Sequence, residues 1–271
     1  YNQQKNIMKT RTITKTTMSL AAAMGTLALA ATSANAAYVA IDDFESHTLG
    51  TAPTSANGWV ESGTQAVTSG LIIADPDDAG NQVAELTARN SGYDIALGGN
   101  SIADSTTGTV FFRVQTTTGS EFFAYATRED VPTTGWWDKD DAGAGNDGSI
   151  TQPRYNAGAT VAQSDGTWYN FWAVANNTAD TFDLYRSTGT DGQGDASFIT
   201  IDTGVAFGGS AAGALDHFFF QGDGGTATAM IDDIYVDNSG VNLANPTIIP
   251  EPSTTALLGL GGLALILRRR K

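Results

Sequence analysis

The 271-residue sequence contains no cysteine, which excludes a disulfide framework, a thiolate metal site and a cysteine nucleophile. Histidine is nearly missing as well. His47 and His217 are the whole supply, and neither has a partner at a recognisable spacing; a lone histidine within "DHFFF" (216–220) reads as structural. Basic residues are scarce in the middle of the chain. Of the 14 Lys and Arg residues, four precede residue 37 and four close the sequence, leaving Arg89, Arg113, Arg128, Lys139, Arg154 and Arg186. These six face 28 acidic residues between positions 37 and 246, a formal charge of 6 − 28 = −22. Such a body repels phosphate backbones and anionic lipid, so nucleic acid is excluded as a partner. Long apolar runs are missing too: the two longest cover 20–31 and 255–267, 12 and 13 residues, against about 20 for a membrane-spanning helix.

What is present between those runs is a β pattern. The segments 38–44, 82–88, 109–117, 121–127, 167–175, 181–187, 198–202, 216–222 and 229–237 are rich in aromatic and β-branched residues, and many alternate with period two. No stretch of the body carries a sustained helical period. Turn signals such as Asn57-Gly58, Asp165-Gly166, Gly208-Gly209 and Gly224-Gly225 separate the segments, and Asp165-Gly166 predicts a tight hairpin before the next strand. Many short strands with glycine-rich turns predict an all-β fold, an antiparallel β-sandwich of jelly-roll type. Two irregular stretches, 130–150 and 188–196, interrupt it.

The flanks read as targeting signals. With Met8 as the start, Lys9, Arg11 and Lys15 precede the apolar run, and Ala34-x-Ala36 follows it. This is the plan of a secretory signal peptide cleaved after Ala36. The organisation is therefore 1–36 upstream residues and signal peptide, 37–237 sandwich, 238–249 linker and 250–271 tail, with a helix expected in each targeting segment. The tail combines Pro250-Glu251-Pro252, an apolar segment and Arg268-Arg269-Arg270-Lys271. On charge alone it also fits a weak tail anchor with its basic end in the cytoplasm. The three-part arrangement resembles the PEP-CTERM sorting signal. That resemblance implies processing by an exosortase, transient inner-membrane contact through the tail, and a place in the envelope, surface or extracellular matrix of a Gram-negative bacterium.

The body invites a second comparison. The opening "DDFESHTLG…NGW" (42–59), the middle "DGTWYNFWAVANNTADTFDLYRS" (165–187) and the closing "IDDIYVD" (231–237) resemble concanavalin A-like (laminin-G-like) lectin and glucanase modules. The resemblance implies carbohydrate chemistry in extracellular polysaccharide. Glucanases of that fold carry a Glu-x-Asp-x-x-Glu run, and retaining hydrolysis needs two carboxyl groups about 5 Å apart. Before the tail the glutamates are Glu45, Glu61, Glu85, Glu121 and Glu129, and no two stand at that spacing. The expectation is thus a non-catalytic carbohydrate-binding module. A calcium-held structural matrix protein is the alternative, and a glycoside hydrolase or polysaccharide lyase comes third.

Two groups of residues bear on these readings. Aromatic faces stack on sugar rings, so Trp136 and Trp137, followed after the acidic stretch by Arg154 and Tyr155, are the candidate glycan site; Trp59, Trp168 and Trp172 are expected in the core. For calcium, which takes six to eight oxygens, "DKDDAGAGNDGS" (138–149) offers Asp138, Asp140, Asp141, Asn146 and Asp147 in a glycine-rich loop that departs from the EF-hand pattern. A second calcium candidate pairs the chain ends. Neighbouring first and last strands would bring Asp43 and Glu45 to Asp232 and Asp233. Strict alternation would turn one of those two aspartates inward, where an unpaired carboxylate is costly.

Overall fold

A computed structural model describes residues 38–55, 58–62, 70–87, 91–117, 120–128, 142–146, 150–153, 159–208, 213–223 and 228–246. The expected targeting helices lie outside these residues. The described body is an all-β sandwich of two antiparallel sheets.

The first sheet runs β13 (Ile199–Ala206), β12 (Thr181–Ser187), β11 (Tyr169–Asn176), β6 (Thr107–Thr116), β15 (Ala229–Asp237), β4 (Gln82–Leu86) and β3 (Gly70–Ala74). An eighth strand, β1 (Val39–Asp42), also pairs with β15. The second sheet runs β10 (Val161–Ala162), β9 (Ile150–Pro153), β8 (Ala142–Asn146), β7 (Glu121–Thr127), β14 (His217–Asp223), β5 (Ser91–Ala96) and β2 (Val60–Ser62). The first and last strands do lie side by side, with Val39 opposite Val236 and Ala40 opposite Tyr235.

Alternation builds the core. Val110, Phe112 and Val114 of β6, Phe171 and Ala173 of β11, Phe122 and Ala124 of β7, and Phe218 and Phe220 of β14 all point between the sheets. Truncating one of these phenylalanines to alanine typically costs about 3–5 kcal/mol. The intervening residues face outward, yet several are just as buried. On the first sheet, Phe111 and Trp172 have no exposure and stack edge-on at 5.1 Å, flanked by Tyr38, Tyr235 and Phe198.

The cover for that outer cluster comes partly from residues 238–246, which the sequence pattern assigns to a linker. The Trp172 Nε1–H donates to the Ala244 carbonyl at 2.9 Å and the Tyr38 hydroxyl to that of Asn242 at 2.5 Å. Gln193 N–H donates to the Leu243 carbonyl at 2.9 Å, beside Gly192, whose φ of +62° favours glycine. After β15 the chain therefore turns back as a strap over the first sheet.

Two expectations are corrected. Asp165-Gly166 does not close a hairpin: β10 before it belongs to one sheet and β11 after it to the other, so this turn, with Gly166 at φ +68°, carries the chain between layers. The presumed loop 138–149 contains a strand, β8, with Ala126 opposite Ala142 and Ala124 opposite Ala144. Its composition explains why it was missed. "AGAG" has little β propensity, but a Cβ on Gly143 would stand 2.1 Å from the Ala124 carbonyl oxygen, so only glycine permits this backbone approach.

Candidate functional site

The chain-end carboxylates do gather on one side, and the reason is a bulge. The register of β15 against β6 slips between Asp232 and Tyr235, with Asp233 at φ +54°. Core positions before the slip are Ala229 and Ile231, and after it Ile234 and Val236. Two consecutive residues, Asp232 and Asp233, are thereby left out of the inward series, and neither points into the sandwich core as strict alternation required. The slip falls where β15 exchanges one neighbour, β4, for another, β1. Bulges commonly re-aim side chains in this way.

Four segments meet at that junction. Asn81, just before β4, donates through Nδ2 to Asp232 Oδ2 at 2.9 Å and to Asp75 Oδ2 at 3.3 Å. Glu45 Oε1 accepts the Gln82 N–H at 2.8 Å. Arg113 of β6 donates through Nη1 to Asp233 Oδ2 at 2.7 Å and stands 3.6 Å from Asp232 Oδ2. The guanidinium also lies 5.0 Å over the Trp168 ring, a cation–π contact, and the Trp168 indole N–H reaches Asp75 Oδ1 at 3.4 Å. Trp168 is accordingly a half-buried surface residue, not a core one.

The electrostatics follow. Burial, and then the neighbouring Asp233, push the Asp232 carboxyl up to about 8. Burial also raises Asp233, with Asp43 and Glu45 adding to it against the pull of Arg113. Burial and the same aspartates raise the Tyr235 hydroxyl. The cation that this cluster holds is an arginine. Among the described residues no group of three or more His, Cys, Asp or Glu side chains is arranged to hold a metal ion. The Asp232 side chain is only 1% exposed, so a substrate has no approach to it.

Next to the junction, Asp42 anchors a buried network. Its Oδ2 accepts from Trp59 Nε1 at 2.7 Å and meets His47 Nε2 at 2.8 Å, while Oδ1 accepts the Phe44 N–H at 2.8 Å. Phe44, at φ +56°, stacks on Trp59 at 5.8 Å. His47 thus has a carboxylate partner five positions away, and His217 has one in adjacent Asp216 at 2.9 Å. Sequence spacing showed neither. Trp59 is a core residue as expected, whereas Trp172 is buried outside the sandwich core beneath the strap.

The proposed glycan residues Trp136, Trp137, Arg154 and Tyr155 lie outside the described residues, as do Asp138, Asp140, Asp141 and Asp147; Asn146 ends β8. What is described is where those segments attach. Ala126 pairs with Ala142, Ala144 with Pro153 and Thr127 with His217. The end of β7, the start of β8 and the end of β9 therefore share one end of the second sheet.

The outer face of that sheet was not anticipated. Asp94, Phe219 and Tyr125 form one cross-strand row, and Gly92, Gln221, Phe123 and Gly145 the next. Asp94, Phe219, Tyr125 and Gln221 are each at most 2% exposed, and Phe123 is half-buried. Phe219 and Tyr125 pack at 4.9 Å.

The architecture is that of an antiparallel β-sandwich, and its C-terminus is identifiable in detail. Residues 249–271 match the PEP-CTERM protein-sorting motif, so this is an exported, exosortase-targeted protein associated with the cell envelope. No curated protein matches the chain in sequence. Among solved structures it is similar to the catalytic domain of a glycoside hydrolase family 131 protein from Coprinopsis cinerea, at 10% identity and TM-score 0.48, covering 77% of this chain and 97% of that one. It is also similar to the Emp46p carbohydrate recognition domain in its potassium-bound form, at 8% identity and TM-score 0.46, over 74% and 97%. A sialidase matches at 10% identity and TM-score 0.45 over 74% of this chain, which spans 18% of the sialidase.

Proposed function

We propose that the exported protein is a non-catalytic carbohydrate-binding module that engages extracellular polysaccharide through Trp136, Trp137, Arg154 and Tyr155. The observation that supports this reading is the register of the second sheet. β7, β8 and β9 bring the attachment points of segments 129–141 and 154–158 to one end, so the two aromatic-bearing segments that flank the β8–β9 hairpin leave from one place. Stacking faces, an arginine and amide groups at one site are the usual components of a sugar pocket. The Asp232–Asp233 pair is committed to Arg113 and Asn81.

A structural calcium ion belongs to this reading only at Asp138, Asp140 and Asp141: β8, rising about 3.3 Å per residue, carries Asn146 and Asp147 to its other end, and Arg113 supplies the positive charge at the chain-end cluster. Binding to a polysaccharide array tests the proposal. Trp136→Ala or Trp137→Ala should abolish a signal that the parent protein gives while leaving its melting temperature within a degree or two. Unchanged binding in both variants removes this site.

A further inference from the structure

Three arginines and no lysine fall within the described residues, and two of the three are neutralised. Arg113 meets Asp232 and Asp233, and Arg128 meets Asp180. Arg186 meets no carboxylate among the described residues. Its guanidinium lies 4.2 Å over the Tyr169 ring, and its Nη1 donates to the Thr151 hydroxyl at 3.2 Å. Thr151 in turn donates to Gln163 Oε1 at 2.8 Å. These partners are neutral, yet Arg186 is only 9% exposed, and burial pulls its pKa below the ordinary arginine value. Taking a cation out of water without a counter-charge is costly. The body has 28 acidic residues, and none of the described ones is placed here.

The strand order shows how a ligand reaches this cation. Arg186 continues the inward series of Phe182 and Leu184 on β12, one strand inside the β13 edge of the first sheet. Thr151 belongs to β9, one strand inside the β10 edge of the second sheet. The Ala159 N–H, two positions before β10, donates to Asp202 Oδ2 of β13 at 2.8 Å, so the two edges lie on one flank. Ile199 of β13 stands opposite Arg186 and shares its inward direction, yet it is 36% exposed. Solvent therefore enters between the sheets at this point. None of the Arg186 nitrogens is both sealed and unpaired, so the N–H groups not given to Thr151 remain open to solvent. A guanidinium has five N–H donors in a planar fork, and a carboxylate takes two of them in parallel. The surrounding charge selects further. A body of −22 repels a polyanion, and a dianionic phosphate more than a carboxylate. A lone carboxylate on an otherwise neutral sugar is the anion least opposed.

We infer that Arg186 anchors the carboxylate of an acidic sugar at the flank between β13 and β10, so that the protein reads sparsely charged, uronic-acid-containing polysaccharide. The inference rests on the carbohydrate-binding reading above and adds a charge selection that Trp136 and Trp137 do not supply. Methyl β-glucuronide and methyl β-glucoside differ only in a carboxylate against a hydroxymethyl group. NMR titration of the exported protein with each, following the arginine Nε–H signals, provides the readout. The glucuronide should bind at least about tenfold more tightly than the glucoside and shift the Arg186 signal. Arg186→Met should erase the preference while the melting temperature holds or rises, because no counter-charge is stranded. Arg186→Lys keeps the charge without the fork and should retain only part of the preference. Should Arg186→Met fail to fold, an undiminished preference in Arg186→Lys overturns the anchor. Equal affinity for the two glycosides, binding of neither, or a preference unchanged in Arg186→Met also overturns it, and a polysaccharide-array signal that persists leaves the Trp136 and Trp137 reading standing. Tighter binding of inorganic phosphate than of the glucuronide overturns the choice of a carboxylate. Binding of neither glycoside by a parent protein that also gives no array signal overturns the anchor and the carbohydrate reading together.

Discussion

Arg113 Nη1 lies 2.7 Å from Asp233 Oδ2, tying the middle of β6 to a bulge in β15 at the point where the first sheet changes partners. The Arg113 side chain retains 24% exposure and that of Asp233 14%, so the pair is sheltered without being sealed. Replacing Arg113 by Met should destabilise the domain at neutral pH by about 3 kcal/mol, the lower part of the range for breaking a buried pair from one side. The loss should shrink in acid, where the stranded Asp233 carboxyl takes up a proton. Denaturant melts at pH 4 and pH 7 give the comparison.

Asp232 gives a pH dependence of definite sign. Its folded value of about 8 lies above the roughly 3.9 of an unfolded aspartate, so the folded state holds more protons between those limits. Stability from this group is complete below the unfolded value and is lost as pH rises toward 8. Asp232→Asn should flatten that part of the profile. A variant whose melting temperature falls with pH as steeply as the parent's would place the titration elsewhere.

The Asp42 carboxylate serves three groups. Asp42→Ala strands the Trp59 indole N–H, the Phe44 N–H and the facing His47 nitrogen in the core, and should cost about 3 kcal/mol or more, given about 1–3 for each unsatisfied buried group. Trp59→Phe removes one donor and keeps the stack on Phe44, so it should cost less than half as much. Equal losses in chemical denaturation would mean that packing, not hydrogen bonding, dominates there.

Glycine packing offers a sharper contrast. Gly143→Ala places a methyl group against the β7 backbone and should destabilise by about 1–3 kcal/mol, as overpacking does. Gly99, whose added Cβ would meet nothing within 4 Å, should accept alanine with little change. Thermal melts of the two variants side by side decide the matter.

Calcium should raise the melting temperature by several degrees through the 138–141 segment. An ion at a hundredfold excess over its dissociation constant adds about 2.7 kcal/mol when it binds only the folded state. Changing Asp138, Asp140 and Asp141 together to Asn should cancel the shift. Identical melts with calcium and with chelator leave the segment a solvated acidic turn.

The contrast between β8 and β14 shows what was legible in the sequence. Aromatic and β-branched strands such as Glu121–Thr127, Thr181–Ser187 and Ala229–Asp237 could be read to the residue, because side-chain chemistry drives them. Ala142–Asn146 could not, since its pairing depends on the absence of side chains against β7. The acid cluster was legible as a list of residues, since adjacent terminal strands bring Asp43 and Glu45 toward Asp232 and Asp233. Its cation was not, because Arg113 is about 120 positions from Asp233 and no local pattern links them.

The strap over Trp172 fixes the length of a leash. Pro246 is the last described residue of the strap, and the Pro-Glu-Pro tripeptide begins four positions later at Pro250. The apolar run starts at residue 255, nine positions after Pro246, and nine residues at full stretch reach no more than roughly 32 Å. A sorting tail held in a bilayer would therefore keep a body with 22 excess negative charges within about three or four Debye lengths of the lipid headgroups. Where those headgroups are anionic, repulsion would favour the extended end of that range.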